Sequence, residues 1–201
     1  MANIMERLIS GDSVAHVSLH GVKPGIPYVD AKKLMSIRFS YKTAIGGDLI
    51  KEFGLIGRDV KRYKRAARRD GGLIKIKIKT MDKTVGQVKY IEHFTGPIDL
   101  NGLRSRLTER FGKPEQFKFT GNGIRMTWAD GGMNLVINPA NSVVLERYNP
   151  YSSDYKSSLI VTMWSDDYKD YLTAAEKRCE GLRNKPMSEL SVQDKMDIMQ
   201  G

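Results

Sequence analysis

Apolar residues recur along this chain with two periods, and both are clearest between Asp99 and Tyr148. Leu100, Leu103, Leu107 and Phe111 fall on one stripe at helical spacing, behind Asp99, a residue type that caps helix N-termini. Gly112 stands where a left-handed C-terminal cap belongs, and Pro114 blocks continuation, so the pattern predicts a helix over 99–111. Beyond it the period drops to two. Ile124, Met126 and Trp128 alternate with Arg125 and Thr127, and Met133, Leu135 and Ile137 repeat the alternation past an Asp130-Gly131-Gly132 turn. A third run, Ser142 to Tyr148, follows a break at Asn138-Pro139-Ala140-Asn141. These signals predict an amphipathic helix laid on an antiparallel meander.

Elsewhere the pattern is thinner. Ile4, Met5, Leu8 and Ile9 sit at helical spacing, and Ser13 to Leu19 reads as a strand with Val14, His16 and Ser18 on one side. After the turn-rich GVKPGIP, Tyr28 to Ile37 predicts a helix with Ala31, Leu34 and Met35 inward. Phe39 and Tyr41 suit the start of a strand, and Asp48 to Phe53 a helical turn. Val60 to Arg69 is expected as a helix, although its apolar stripe is only Val60, Tyr63, Ala66 and Ala67. Leu73 to Thr80 alternates cleanly, Ile74, Ile76 and Ile78 against Lys75, Lys77 and Lys79, which predicts a half-buried strand with a lysine side. Met81-Asp82-Lys83 turns it into a partner strand, Val85 to Phe94. Leu159, Val161 and Met163 mark one more strand, and Ser165, Asp166 and Asp167 open a long helix with the stripe Tyr168, Tyr171, Leu172, Ala175, Cys179 and Leu182. Pro186 ends that helix, and Ser191 with Asp194 resembles a capping box for a last short one.

The expected class is therefore α+β, an antiparallel sheet covered on one face by helices 99–111 and 166–183. Leu103, Leu107, Phe111, Trp128, Leu135, Leu172 and Ala175 are expected to be buried together. The segments GVKPGIPYVDAKKLM and TGPIDLNGLRSRL both set a Gly/Pro turn before a short helix and strands, which suggests two related units in tandem. A division into a basic half, 1–96, and a helix-plus-meander half, 97–201, within one compact unit follows from this layout.

Charge changes the picture more than composition does. The net charge of +10 over 201 residues resides in the first half: Arg58 to Arg69 holds seven bases against one acid, whereas 150–201 holds nine acids against seven bases. Arg58, Lys61, Arg62, Lys64, Arg65, Arg68 and Arg69, with Lys75, Lys77 and Lys79, form a candidate cationic patch. Such a patch attracts nucleic acid, anionic lipid or an acidic protein, and charge by itself does not choose among them. No apolar run approaches the roughly 20 residues of a membrane-spanning helix. Met1 to Gly11, interrupted by Glu6 and Arg7, does not read as a signal peptide, which points to the cytoplasm, or to the periplasm if a signal was removed. The single Cys179 excludes an internal disulfide and a cysteine metal cage, and its place on the helical stripe reads as core.

Leu103, Leu107 and Phe111 leading into Gly112 and Pro114, with Trp128 on a following strand, resemble the bacterial envelope domains of the β-lactamase-inhibitor-protein-like type. The outer-membrane assembly lipoproteins of the SmpA/OmlA type share that layout, and GVKPGIPYVDA is similar to the G-x-x-x-G-x-x-x-x-x-[AV] opening of the same group. The resemblance covers about half the chain. It implies helices on an antiparallel sheet, occurring in tandem and binding proteins without catalysis.

The candidate chemistry is sparse. His16-Val17-Ser18 and His93-Phe94-Thr95 resemble the paired His-x-[Ser/Thr] tripeptides of two-histidine phosphoesterases. That resemblance implies His16 and His93 as acid and base, with Ser18 and Thr95 holding a phosphate. No Walker loop, His-Glu-x-x-His or Gly-x-Ser-x-Gly is present, and Asp166 and Asp167 read as first-turn helix acids. His16 and His20 would suit a metal only on a helix, where the pattern predicts strand and turn, so no metal or cofactor is expected. The leading expectation is a non-enzymatic module that binds a macromolecule, with protein as the expected partner. A phosphoesterase and a nucleic-acid-binding protein using the 58–79 region are the alternatives.

Overall fold

The computed structural model describes residues 9–39, 48–49, 61–69, 72–142, 155–192 and 194–195. Two short strands, β1 (Ile9–Ser10) and β2 (Ser18–Leu19), pair with each other at the start. Helix α1 (Tyr28–Arg38) then precedes β3 (Asp48–Leu49), β4 (Lys61–Arg69), β5 (Gly72–Met81) and β6 (Thr84–Phe94). Helix α2 (Leu100–Phe111) precedes β7 (Gln116–Thr120), β8 (Gly123–Asp130), β9 (Met133–Ala140) and β10 (Ser157–Ser165). The longest helix among the described residues, α3 (Asp166–Arg183), follows directly, and a 3-10 turn, Met187–Glu189, lies beyond it.

Among the described residues the larger sheet runs in the order β3-β4-β5-β6-β10-β9-β8-β7, with every neighbouring pair antiparallel. The same order of elements, a helix and then a meander, thus occurs twice. The two meanders join through their last strands, β6 and β10, in register from Gln87↔Trp164 to Phe94↔Ser157. The class is α+β. One continuous sheet spans both halves, because the central seam is as fully paired as the hairpins on either side.

Alternation assigns each sheet position to one of two sides. Ile74, Ile76 and Ile78 pair with Glu92, Tyr90 and Val88, which pair in turn with Leu159, Val161 and Met163. Leu135 and Ile137, then Trp128 and Met126, continue the same side. With Ala31, Met35 and Phe39 of α1 and its end, and Leu103 and Leu107 of α2, these apolar residues make one buried cluster. At ~25 cal/mol per Å² of apolar surface removed from water, this shared burial is the main force holding both helices to the sheet. The lead-in to α1 is tied down by backbone bonds, Gly25 N to Val85 O at 2.7 Å and Tyr28 N to Lys83 O at 2.8 Å.

The expected caps are present. Asp99 Oδ1 accepts from Gly102 N at 2.9 Å at the start of α2, and Ser165 Oγ accepts from Tyr168 N at 3.3 Å at the start of α3. Ser191 Oγ likewise accepts from Asp194 N at 3.1 Å. Several other expectations need correction. Val60–Arg69 is not a helix: residues 61–69 are strand β4, because pairing along the whole of β5 outweighs the helix propensity of Ala66 and Ala67. Val14–His16 forms a 3-10 turn, not part of a strand, with His16 N bonded to Ser13 O at 3.1 Å. Gln116–Thr120 is a strand where none was expected. The break at Asn138–Asn141 lies later than expected: β9 runs through Ala140, and Pro139, lacking an N–H, sits where the β8–β9 register is interrupted.

Helix α3 does not share the core of α2. Leu103, Leu107, Trp128 and Leu135 are buried together with Phe111 packed on them, but Leu172 is half-buried and outside that cluster. Instead α3 meets β6 and β10 and buries Tyr168, whose ring lies against Gly86. Of the helix expected over residues 3–10, Ile9–Ser10 is strand β1, because it pairs with Ser18–Leu19, and Phe39 is the buried end of α1. Residues 3–8, the strand expected past Phe39 at Tyr41, the 143–148 run, Arg58 and the side chains of Ala175 and Cys179 lie outside the described residues. Asp48–Leu49 is strand, not helical turn. No helix among the described residues is long and apolar enough to cross a membrane.

Candidate binding surface

The lysine side of β5 is a consequence of alternation. With Ile74, Ile76 and Ile78 committed to the core, Lys75, Lys77 and Lys79 must point to the far side, where each is half-exposed. Register then decides what stands beside them. Lys77 pairs with Lys64 on one flank and Lys89 on the other, so three lysine positions form a row straight across β4, β5 and β6. Lys79 pairs with Arg62 and Gln87, and Lys75 with Ala66 and Ile91. Strands lie about 4.8 Å apart, so the row gathers these basic positions closely on one side of the sheet and raises the positive potential there.

The candidate cations therefore divide between the two sides of the sheet. Arg62, Lys64 and Arg68 occupy the far-side positions of β4 with Lys75, Lys77 and Lys79, whereas Lys61, Arg65 and Arg69 occupy the alternate ones. Arg65 has a structural task there: Nη1 donates to Phe39 O at 3.1 Å and Nη2 to Ser36 Oγ at 2.8 Å, clamping the end of α1 to β4. Lys89 belongs to the patch and was not anticipated, because its place beside Lys77 is a fact of register and not of sequence spacing.

Away from the lysines the far side changes character. Gln87, Thr162, Trp164, Asn134 and Asn138 are half-exposed, while Ile91 and Val136 are 2% and 3% exposed. The far side is thus partly covered over β6, β10 and β9, where α3 meets the sheet, with half-exposed polar positions and one indole around two buried apolar residues.

The histidines do not meet. His16 is exposed on the 3-10 turn, where Nδ1 and Ser13 Oγ are 3.0 Å apart, and this turn packs on β8 and β9 with Ala15 beside Gly131. His93 is 3% exposed near the end of β6, its ring centroid 5.6 Å from that of Tyr155. Its row runs through Ser158 to Ala140, the far end of β9 from the Gly131 turn. Seven residue steps, roughly 23 Å at ~3.3 Å each, separate Met133 beside that turn from Ala140. Ser18 bonds Ser10 through its hydroxyl, and Thr95 is exposed past the strand. The arrangement expected of a two-histidine phosphoesterase is absent among these four residues. His20, with φ +54°, packs its ring on Phe39 and Tyr90, apart from His16. Among the described residues no group of His, Cys, Asp and Glu is arranged to hold a metal ion.

One exposed feature had no counterpart in the expectations. Phe119, at the sheet margin on β7, is 79% exposed, beside Lys118 and edge-to-face with Phe117 at 5.1 Å. The alternation of Phe117 and Phe119 with Gln116, Lys118 and Thr120, before Gly121-Asn122-Gly123, was its sequence signal. No protein-family model matches the chain, and no curated protein or solved structure matches it significantly.

Proposed function

We propose that this chain is a non-enzymatic binding module that holds an acidic protein surface against the far side of β4, β5 and β6. The observation that carries the reading is the Lys64–Lys77–Lys89 row, with Arg62 and Lys79 in the next paired position. Basic positions gathered in one row raise the positive potential over β4–β6, and such a potential steers an acidic protein surface towards it. The half-exposed polar residues Thr162 and Asn138 and the indole of Trp164 on the same side favour a protein over a nucleic acid. Protein interfaces combine a charged region with aromatic and neutral polar contact, whereas a phosphate backbone is best followed by a continuous cationic track. The resemblance to tandem envelope domains, which bind proteins without catalysis, points the same way.

The test compares the full chain with a Lys75→Glu/Lys77→Glu/Lys79→Glu variant. Cross-linking capture from a bacterial lysate should recover acidic proteins with the wild type only, less so as salt rises. Single-stranded RNA and duplex DNA shifted with the same salt dependence, and no protein captured, would reassign the surface to nucleic acid. Turnover of a phosphodiester lost in His16→Ala or His93→Ala would replace the reading with an enzyme.

A further inference from the structure

We infer that the open margin of the sheet at β7 is a second docking site, which takes an extended, acid-bearing segment of a partner protein as an added strand. It is separate from the lysine side of β5, since β8, β9, β10 and β6 stand between them. Five strand spacings of ~4.8 Å make that roughly 24 Å.

The backbone at this margin is set for pairing. Among the described residues β7 has a ladder partner on one flank, β8, and ends the sheet on the other. Its hairpin closes through Gly121 and Asn122, with Gly121 at φ +57°, between the paired residues Thr120 and Gly123. A two-residue loop makes its flanking residues a mutually bonded pair. By alternation Lys118↔Arg125 is bonded too, and Phe117 and Phe119 turn their N–H and C=O away from β8. An incoming strand would find these groups in the plane of the sheet.

The side chains select which strand. Lys118 and Arg125 stand directly opposite each other and both are exposed, two like charges side by side on the far side of the margin. On the core side the Arg104 guanidinium lies 4.5 Å from the Phe117 ring centroid, and the exposed Phe119 ring adjoins it. A lysine on an edge strand ordinarily guards against indiscriminate pairing. Antiparallel pairing of two copies of β7 about Lys118 would set lysine against lysine. A strand with a carboxylate at that position and apolar neighbours turns the same lysine into a selector, and its apolar side chains cover Phe117 and Phe119.

The experiment titrates the full chain into a fluorescein-labelled synthetic peptide, Thr-Ile-Glu-Ile-Glu-Val-Thr, and into its counterpart with lysine for glutamate, read by anisotropy. The acidic peptide should bind at least tenfold more tightly. Lys118→Glu should reverse that preference, and Phe119→Pro, which removes an outward N–H, should abolish binding of both. Lys118→Glu keeps the test valid if the proline variant does not fold. Amide exchange should show Phe117 and Phe119 newly protected by the acidic peptide. Phe119→Pro should capture lysate partners on the lysine side as the wild type does, so this inference and the proposed function fail separately. Equal binding of the two peptides, indifference to Lys118→Glu, or protection elsewhere would overturn the inference. So would a concentration-dependent dimer with β7 protected in the absence of peptide, which would assign the margin to a second copy.

Discussion

The indole Nε1–H of Trp128, on β8, donates to the carbonyl oxygen of Gly112 at 2.9 Å, in the residue that ends α2. Gly112 has φ +77° and ψ −175°, a conformation open to glycine and strained for other residues. The bond fixes the exit of the helix over the strand its apolar stripe covers, and Phe111 completes the contact edge-to-face with the indole at 5.9 Å.

Trp128→Phe should preserve the ring packing and lose the bond, leaving the Gly112 carbonyl without this donor. A loss of about 1–2 kcal/mol is expected in urea unfolding. Gly112→Ala should cost about 1–3 kcal/mol from the backbone, because a methyl there meets nothing within 4 Å. A Gly112→Ala chain as stable as wild type would contradict this account of the helix end.

Gly86 and Tyr168 form the clearest anchor of α3. A methyl built on Gly86 lies 2.0 Å from Tyr168 Cδ2, so the two cannot coexist without displacement. Gly86→Ala should destabilise by roughly 1–3 kcal/mol. Combined with Tyr168→Ala it should cost clearly less than the sum of the single changes, since the second removes the obstacle. Additive losses would show that the ring is not what the methyl meets.

Lys77→Glu tests the cationic row at its middle. The change sets an acid between the Lys64 and Lys89 positions and removes positive potential from β4–β6. Capture of acidic partners should fall well below wild type at low salt, and the two chains should converge as salt is added. Undiminished capture would mean that the row does not hold the partner.

The histidines should differ by burial. His93→Ala, at a site 3% exposed and packed beside Tyr155, should lose roughly 1–3 kcal/mol. His16→Ala, on an exposed turn, should change stability by less than about 0.5 kcal/mol. Neither should alter hydrolysis of a model phosphodiester above the buffer rate.

Local chemistry was legible wherever one residue decides it alone. The Asp99, Ser165 and Ser191 caps and the isoleucine–lysine alternation of β5 depend on bonds or faces within a few residues, so their spelling determines them. The α+β class followed, and the repeated Gly/Pro-then-helix openings anticipated the repeated order of elements. Three things only the tertiary structure decided. β4 has a helix-compatible composition and became a strand because β5 supplied a full ladder of partners, a contact that propensity does not contain. Helix α3 carries an apolar stripe, yet its buried anchor is Tyr168, because the glycine that admits the ring lies on a distant strand. The cationic row exists because register sets Lys64, Lys77 and Lys89 abreast. Alternation tells which side of a sheet a residue faces, but pairing across strands tells what it faces, and pairing is fixed by the packing of the whole sheet on its core.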